Sequence, residues 1–206
     1  MKSFKLIFIF LACLLFGSSS FATLLTQPQQ VIESTSNEMK QLMLSESHLI
    51  DSDPNYFYTL VDKVFTPYID LDRISAMVLG RSWRQVSNND RQAFKQEFKR
   101  MLVRSYATAF RSQSDWEISY LPSRPGNKPN DILVRTKVAN SGQPLKIDYR
   151  MRNIGEGWKV YDVKIEGISL VTNYRSSFKK IIRTSGVRGL IDNLNETNDK
   201  KEMIDS

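Results

Sequence analysis

The chain has 206 residues, 25% of them charged and 41% apolar, with nine Gly, seven Pro and a single Cys. This composition excludes a collagen-like repeat, a disulfide scaffold and a disordered polymer, and the length suits one ordinary domain. A formal charge of +7 favours an anionic partner.

Residues 1–22 have the three zones of a secretory signal: Lys2 and Lys5, the apolar run Leu6 to Phe16, and small residues ending Ser20-Phe21-Ala22. Cleavage is expected after Ala22. The run is about 11 residues, too short for a bilayer core that needs about 20. Cys13, the only cysteine, leaves with this segment, so the exported chain folds without a disulfide. Cys13 as a lipid-attachment site after Leu11-Ala12 requires the apolar run to stop early. Export also makes nucleic acid a poor partner, and leaves anionic lipid or an acidic protein surface.

The first half reads as helices. Gln29 to Leu44 places Val31, Ile32, Met39, Leu42 and Met43 on one stripe, with a gap at Thr35 and Ser36. Asp53 and Pro54 suit the start of a second helix, in which Phe57, Leu60, Val61, Val64 and Phe65 face one way before Pro67 ends it. A third, from Asp70 to Leu79, stops at Gly80. Ser87 to Asp90 opens the longest one. Its apolar face is Phe94, Phe98, Met101, Leu102, Tyr106, Ala109 and Phe110, and its outer face carries Arg91, Lys95, Glu97, Lys99 and Arg100.

From Trp116 the apolar period changes to two. Trp116, Ile118 and Tyr120 form one alternating run; Ile132, Val134, Thr136 and Val138 a second; Leu145, Ile147, Tyr149 and Met151 a third. The fourth, Gly157 to Ile165, is apolar on both parities, Trp158 and Val160 opposing Tyr161, Val163 and Ile165, which suggests a central or bulged strand. A long loop at Pro122 to Asn130 and tight turns at Asn140-Ser141-Gly142 and Gly155-Glu156-Gly157 separate the runs. After Gly167 the helical period returns through Leu170, Val171, Tyr174, Phe178, Ile181 and Ile182, breaks at Gly186, and resumes with Val187, Leu190, Ile191 and Leu194. The fold class is α+β, with a four-stranded, largely antiparallel meander. Its parts are a helical region at about 28–111, a sheet at about 115–168, C-terminal helices at about 169–195 and a polar, fraying tail at 196–206.

The chemistry such a chain lacks is informative. His48 is the only histidine and lies in a polar stretch, no Gly-x-Ser-x-Gly elbow is present, and zinc has too few of its usual ligands. No phosphate loop occurs. Paired carboxylates exist, notably Asp162 and Glu166 near the end of the last strand, which keeps a small periplasmic enzyme as the alternative. The basic run Arg175, Lys179, Lys180, Arg183 and Arg188 reads as a solvated helix face or a docking surface. The many large aromatics serve either a closed core or an apolar pocket, and periodicity alone does not separate the two.

The order and spacing of particular residues carry a resemblance. Leu79-Gly80-Arg81-Ser82-Trp83-Arg84, Arg91 with Phe94 and Phe98, Leu102 and Tyr106, Trp158-Lys159-Val160-Tyr161-Asp162-Val163 with Glu166-Gly167-Ile168-Ser169-Leu170, and Tyr174-Arg175 with Phe178 resemble the MlaC family, also called the toluene-tolerance family. The resemblance spans about residues 28 to 195. It implies a monomeric periplasmic phospholipid carrier with a curved sheet of cone-like, nuclear-transport-factor-related type, a helical subdomain and an enclosed apolar pocket. It further implies transfer between an outer-membrane lipoprotein–porin complex and an inner-membrane ABC transporter, preserving outer-membrane lipid asymmetry, with phospholipid as cargo and no cofactor, metal or catalytic residue. On that expectation, inward parity draws the pocket wall from Val61, Phe65, Phe98, Leu102, Tyr106, Val134, Ile147, Tyr149 and Val163.

Overall fold

A computed structural model describes residues 26–111, 116–139 and 143–205, so the expected signal segment with Cys13 and the turn at Asn140-Ser141-Gly142 lie outside the described residues. Helix α1 (Gln27–Ser45) begins where the Thr26 N–H donates to the Gln29 side chain at 2.8 Å. A short α2 (Ser47–Ser52) follows and carries His48 exposed. Helix α3 (Pro54–Phe65) starts as expected, with the Asp53 carboxylate accepting the Asn55 N–H at 2.8 Å. Helix α4 (Leu71–Leu79) is capped by Asp70, which accepts the Arg73 N–H at 3.0 Å, and ends on Gly80 at φ 58°. Ser87 accepts the Asp90 N–H at 3.1 Å at the head of α5 (Asn88–Arg111). The last helix, α6 (Leu170–Asp205), is broken at Gly186, whose φ of 69° is outside helical space.

Five strands form one antiparallel sheet in chain order: β1 (Glu117–Pro125), β2 (Asp131–Ala139), β3 (Leu145–Asn153), β4 (Trp158–Ile165) and β5 (Ile168–Ser169). The expected count was four. Glu166 and Gly167, both at positive φ, turn the chain back so that Lys164 pairs with Ser169 and Ile165 with Ile168. A two-residue strand is too short to display a period of two. The expected loop at Pro122 shrinks as well, because β1 runs to Pro125; a register slip between Leu121 and Arg124 hides its alternation.

A bulge in β4 changes the expected facing. Tyr149 lies opposite Val163 and Met151 opposite Val160, which leaves Tyr161 as the extra residue. Val160 therefore shares the face of Val163 rather than opposing it. Tyr161 turns to the helices instead, with the Arg73 and Arg150 guanidinium groups 4.4 and 5.0 Å from its ring and its hydroxyl 3.1 Å from Asp131.

The polar stretch from Glu196 does not fray, since α6 continues through it along α5. Arg100 bonds Asp199 at 2.8 Å and Glu202 at 2.5 Å, and Asn198 is buried. Glu97, expected on the charged outer face of α5, is consequently covered and only 7% exposed.

Candidate functional site

The apolar interior falls into three clusters. One packs Phe57, Leu60, Val61 and Val64 of α3 against Met39 and Ala107. A second joins α4, α5 and α6 through Phe94, Phe98 and Phe178; Phe98 meets Tyr174 edge-on at 5.3 Å between ring centroids and Phe178 at 5.9 Å. The third lies on one sheet face, where Val134, Met151 and Val160 pack against Ile32 of α1.

The nine expected wall residues divide among these clusters. Val61, Phe98 and Val134 are fully enclosed by protein, each in a different cluster. Phe65, Leu102, Tyr106, Ile147, Tyr149 and Val163 are half-buried. The sheet members form one continuous patch, because Tyr149 pairs with Val134 on one side and Val163 on the other, with Ile147 two residues along the same face. On the helical side, Tyr106 and Tyr174 bring their hydroxyls to 3.4 Å.

The half-buried phenols sit in dry surroundings. Burial pushes the Tyr149 hydroxyl up to about 12, against a smaller downward pull from Thr136. Burial also raises Tyr120, whose hydroxyl finds no hydrogen-bond partner among the described residues, and raises Tyr174, which the Tyr106 bond raises further. Tyr120 lies opposite Thr136, and so extends the Tyr149 face across the sheet. Its position was legible from alternation, but nothing in the sequence distinguished it from a core tyrosine.

Two open depressions mark the outside. One, of about 640 Å³, is lined by Glu38, Gln41, Leu42, Leu44 and Ser45. The other, about 540 Å³, lies between Arg150, Lys164 and the turn from Gly167 into α6. None of the nine wall residues lines either one.

The carboxylate pair is engaged in holding the backbone. Asp162 is 2% exposed; it accepts the Ser169 hydroxyl at 2.8 Å and the Val171 N–H at 3.2 Å, with Arg150 at 3.7 Å. Glu166 accepts the Lys146 N–H at 2.5 Å. Both oxygens of Asp162 thus fix the corner between β4 and α6. Among the described residues no group of three or more His, Cys, Asp or Glu side chains is placed to hold a metal ion. No described helix is long and apolar enough to cross a membrane.

The α+β frame thus carries a continuous, half-buried apolar sheet face, with Asp162 holding the strand-to-helix corner and Glu166 bonding the neighbouring strand. The chain belongs to the MlaC family, whose MlaC protein profile matches residues 33–196. It is 24% identical over 176 residues to the intermembrane phospholipid transport system binding protein MlaC of Haemophilus influenzae, covering 84% of this chain and 82% of that one. It is 25% identical over 160 residues to toluene tolerance protein ttg2D of Pseudomonas putida, covering 77% and 74%. Among solved structures it is similar to the phospholipid-binding protein from Ralstonia solanacearum in complex with a phospholipid, with a TM-score of 0.77 and 30% identity over 85% of this chain and 98% of that one.

Proposed function

We propose that this protein is a periplasmic phospholipid carrier, exported by residues 1–22 and acting without catalysis. The observation that carries the reading is the agreement of its fold, over 85% of the chain, with a protein solved holding a phospholipid. The half-buried face of Ile147, Tyr149 and Val163 supports it. The acyl chains lie against this face and against the half-buried Phe65, Leu102 and Tyr106, while the enclosed Val61, Phe98 and Val134 hold the clusters that carry them. The sheet acts as the curved, cone-like wall. The carrier works as a monomer, taking lipid from one membrane system and delivering it to the other, between an outer-membrane lipoprotein–porin complex and an inner-membrane ABC transporter.

The energetics explain why such a protein is needed. Two ordinary acyl tails hold about 30 methylenes, and at about 0.8 kcal/mol each roughly 24 kcal/mol is lost on release into water. A surface about as apolar as the bilayer removes that barrier, so a small bias from a partner sets direction. The frame is long enough: the 24 residues of α5 span about 36 Å at 1.5 Å per residue, against about 15 Å for one leaflet's tails. Native mass spectrometry of protein taken from its own periplasm is the test. One bound phospholipid per chain is expected; protein recovered empty, and unable to extract lipid from vesicles, overturns the reading.

A further inference from the structure

The two faces of α6 before Gly186 differ sharply. Val171, Tyr174, Phe178 and Ile181 turn inward, whereas Arg175, Lys179, Lys180 and Arg183 are exposed. From Leu170 to Ser185 the sequence contains no Asp or Glu. Helical spacing at 100° per residue places these four cations within one outward sector. Among the described residues, none of the four has a carboxylate within ion-pair distance, whereas on α5 Lys95 pairs with Asp72 at 2.7 Å and Lys99 with Asp62 at 2.8 Å. Those two α5 charges are neutralised within the protein; the four on α6 before Gly186 are offered outward, whereas Arg188 beyond it pairs with Asp90 at 3.0 Å.

Two further features enlarge this face. Gly80 leaves room for the Arg175 guanidinium, since a Cβ there would stand 3.1 Å from it, and Arg81, next in sequence to Gly80, is exposed. At the other end the helix continues into the open depression lined by Lys164 and Ile168, and the Ile168 side chain is 66% exposed. A field of unpaired cations beside one protruding aliphatic side chain is the pattern of a peripheral membrane contact. A protein partner is recognised through a packed aromatic or apolar centre, and the exposed positions of this stretch are Arg, Lys, Ser, Thr and Asn.

We infer that the outward face of α6, from Ile168 to Arg183, docks on the headgroups of an anionic phospholipid bilayer. The contact is electrostatic, shallow and reversible, and Ile168 enters the interfacial zone. It concerns where the protein rests and does not depend on what its interior carries.

The test is flotation of the full mature chain with vesicles of phosphatidylcholine alone and of phosphatidylcholine mixed with phosphatidylglycerol. Binding is expected only to the mixed vesicles, and it declines steeply as salt shortens the screening length. K179E/K180E/R183E lowers that binding at least about tenfold. K200E/K201E, which alters exposed lysines beyond Gly186, leaves it within about twofold of the parent. Absence of binding to the mixed vesicles at low salt overturns the inference. So does an equal loss in K200E/K201E, which would mean that net charge alone acts. Lipid content, read by mass spectrometry on the same samples, reports the cargo separately.

Discussion

The amide of Asn198 donates to both the backbone carbonyl of Glu97, at 3.0 Å, and its carboxylate, at 2.9 Å, with both side chains out of solvent. These residues lie 101 positions apart, and Asn198 falls beyond the residues matched by the family profile. The last turns of α6 are therefore part of the fold. Asn198→Ala is expected to destabilise the protein by about 1–3 kcal/mol, because it removes two buried hydrogen bonds and leaves the Glu97 carboxylate to Arg100 alone. Deleting residues 199–206 removes Asp199 and Glu202, the half-exposed partners of Arg100, together with the Glu202 contact to Arg104 at 3.4 Å, and costs about 1 kcal/mol. Urea midpoints of the two variants check the order.

Asp162 is expected to behave as a corner post. Asp162→Asn keeps the shape but loses one acceptor and the charge facing Arg150, and is expected to lower stability by about 1–3 kcal/mol. Asp162→Ala costs more, about 3–5 kcal/mol, because the Ser169 hydroxyl and the Val171 N–H lose their acceptor as well. Both variants are expected to keep lipid uptake per folded molecule. Thermal unfolding and vesicle extraction measure the two effects independently.

The sheet face separates packing from cargo. Ile147 is half-buried, so Ile147→Trp has room; it is expected to cost less than about 1.5 kcal/mol while strongly reducing lipid uptake. Val134 is fully enclosed, and Val134→Trp overpacks its cluster by about 1–3 kcal/mol. Normal uptake by a well-folded Ile147→Trp variant would mean that the tails run elsewhere.

Alkaline pH offers a check on Tyr149. Its hydroxyl is held near 12 when folded, above its ordinary value near 10, so above that lower value the unfolded chain has lost the proton while the folded chain keeps it. Stability from this group is therefore whole below about pH 10 and falls as pH rises toward about 12, by at most about 1.4 kcal/mol per pH unit. Tyr149→Phe is expected to flatten that part of the profile, as read from urea midpoints across the range.

Much of the architecture was legible in local patterns. The cap at Asp53, the helix starts at Asp70 and Ser87, the stop at Gly80 and the break at Gly186 all act through neighbouring residues, and the structure places each as the sequence suggests. The alternation of β2 and β3 likewise gave their common face. What was hidden depends on partners distant in sequence or on register. The Tyr161 bulge moves Val160 to the Val163 face, and no composition rule reveals it. Glu97 reads as a surface acid until Asn198 arrives to cover it. The nine expected wall residues lie on apolar faces that periodicity marks, but periodicity does not separate the closed Val61, Phe98 and Val134 from the half-open Tyr149, since both kinds recur with the same spacing.

The threefold division of the apolar interior bears on where the fold opens most cheaply. The sheet with α1 holds one cluster and the helices hold two, with Tyr161 crossing from sheet to helices. Such a body yields along the seam between its plates at less cost than it melts, because each cluster keeps its own contacts while the plates slide.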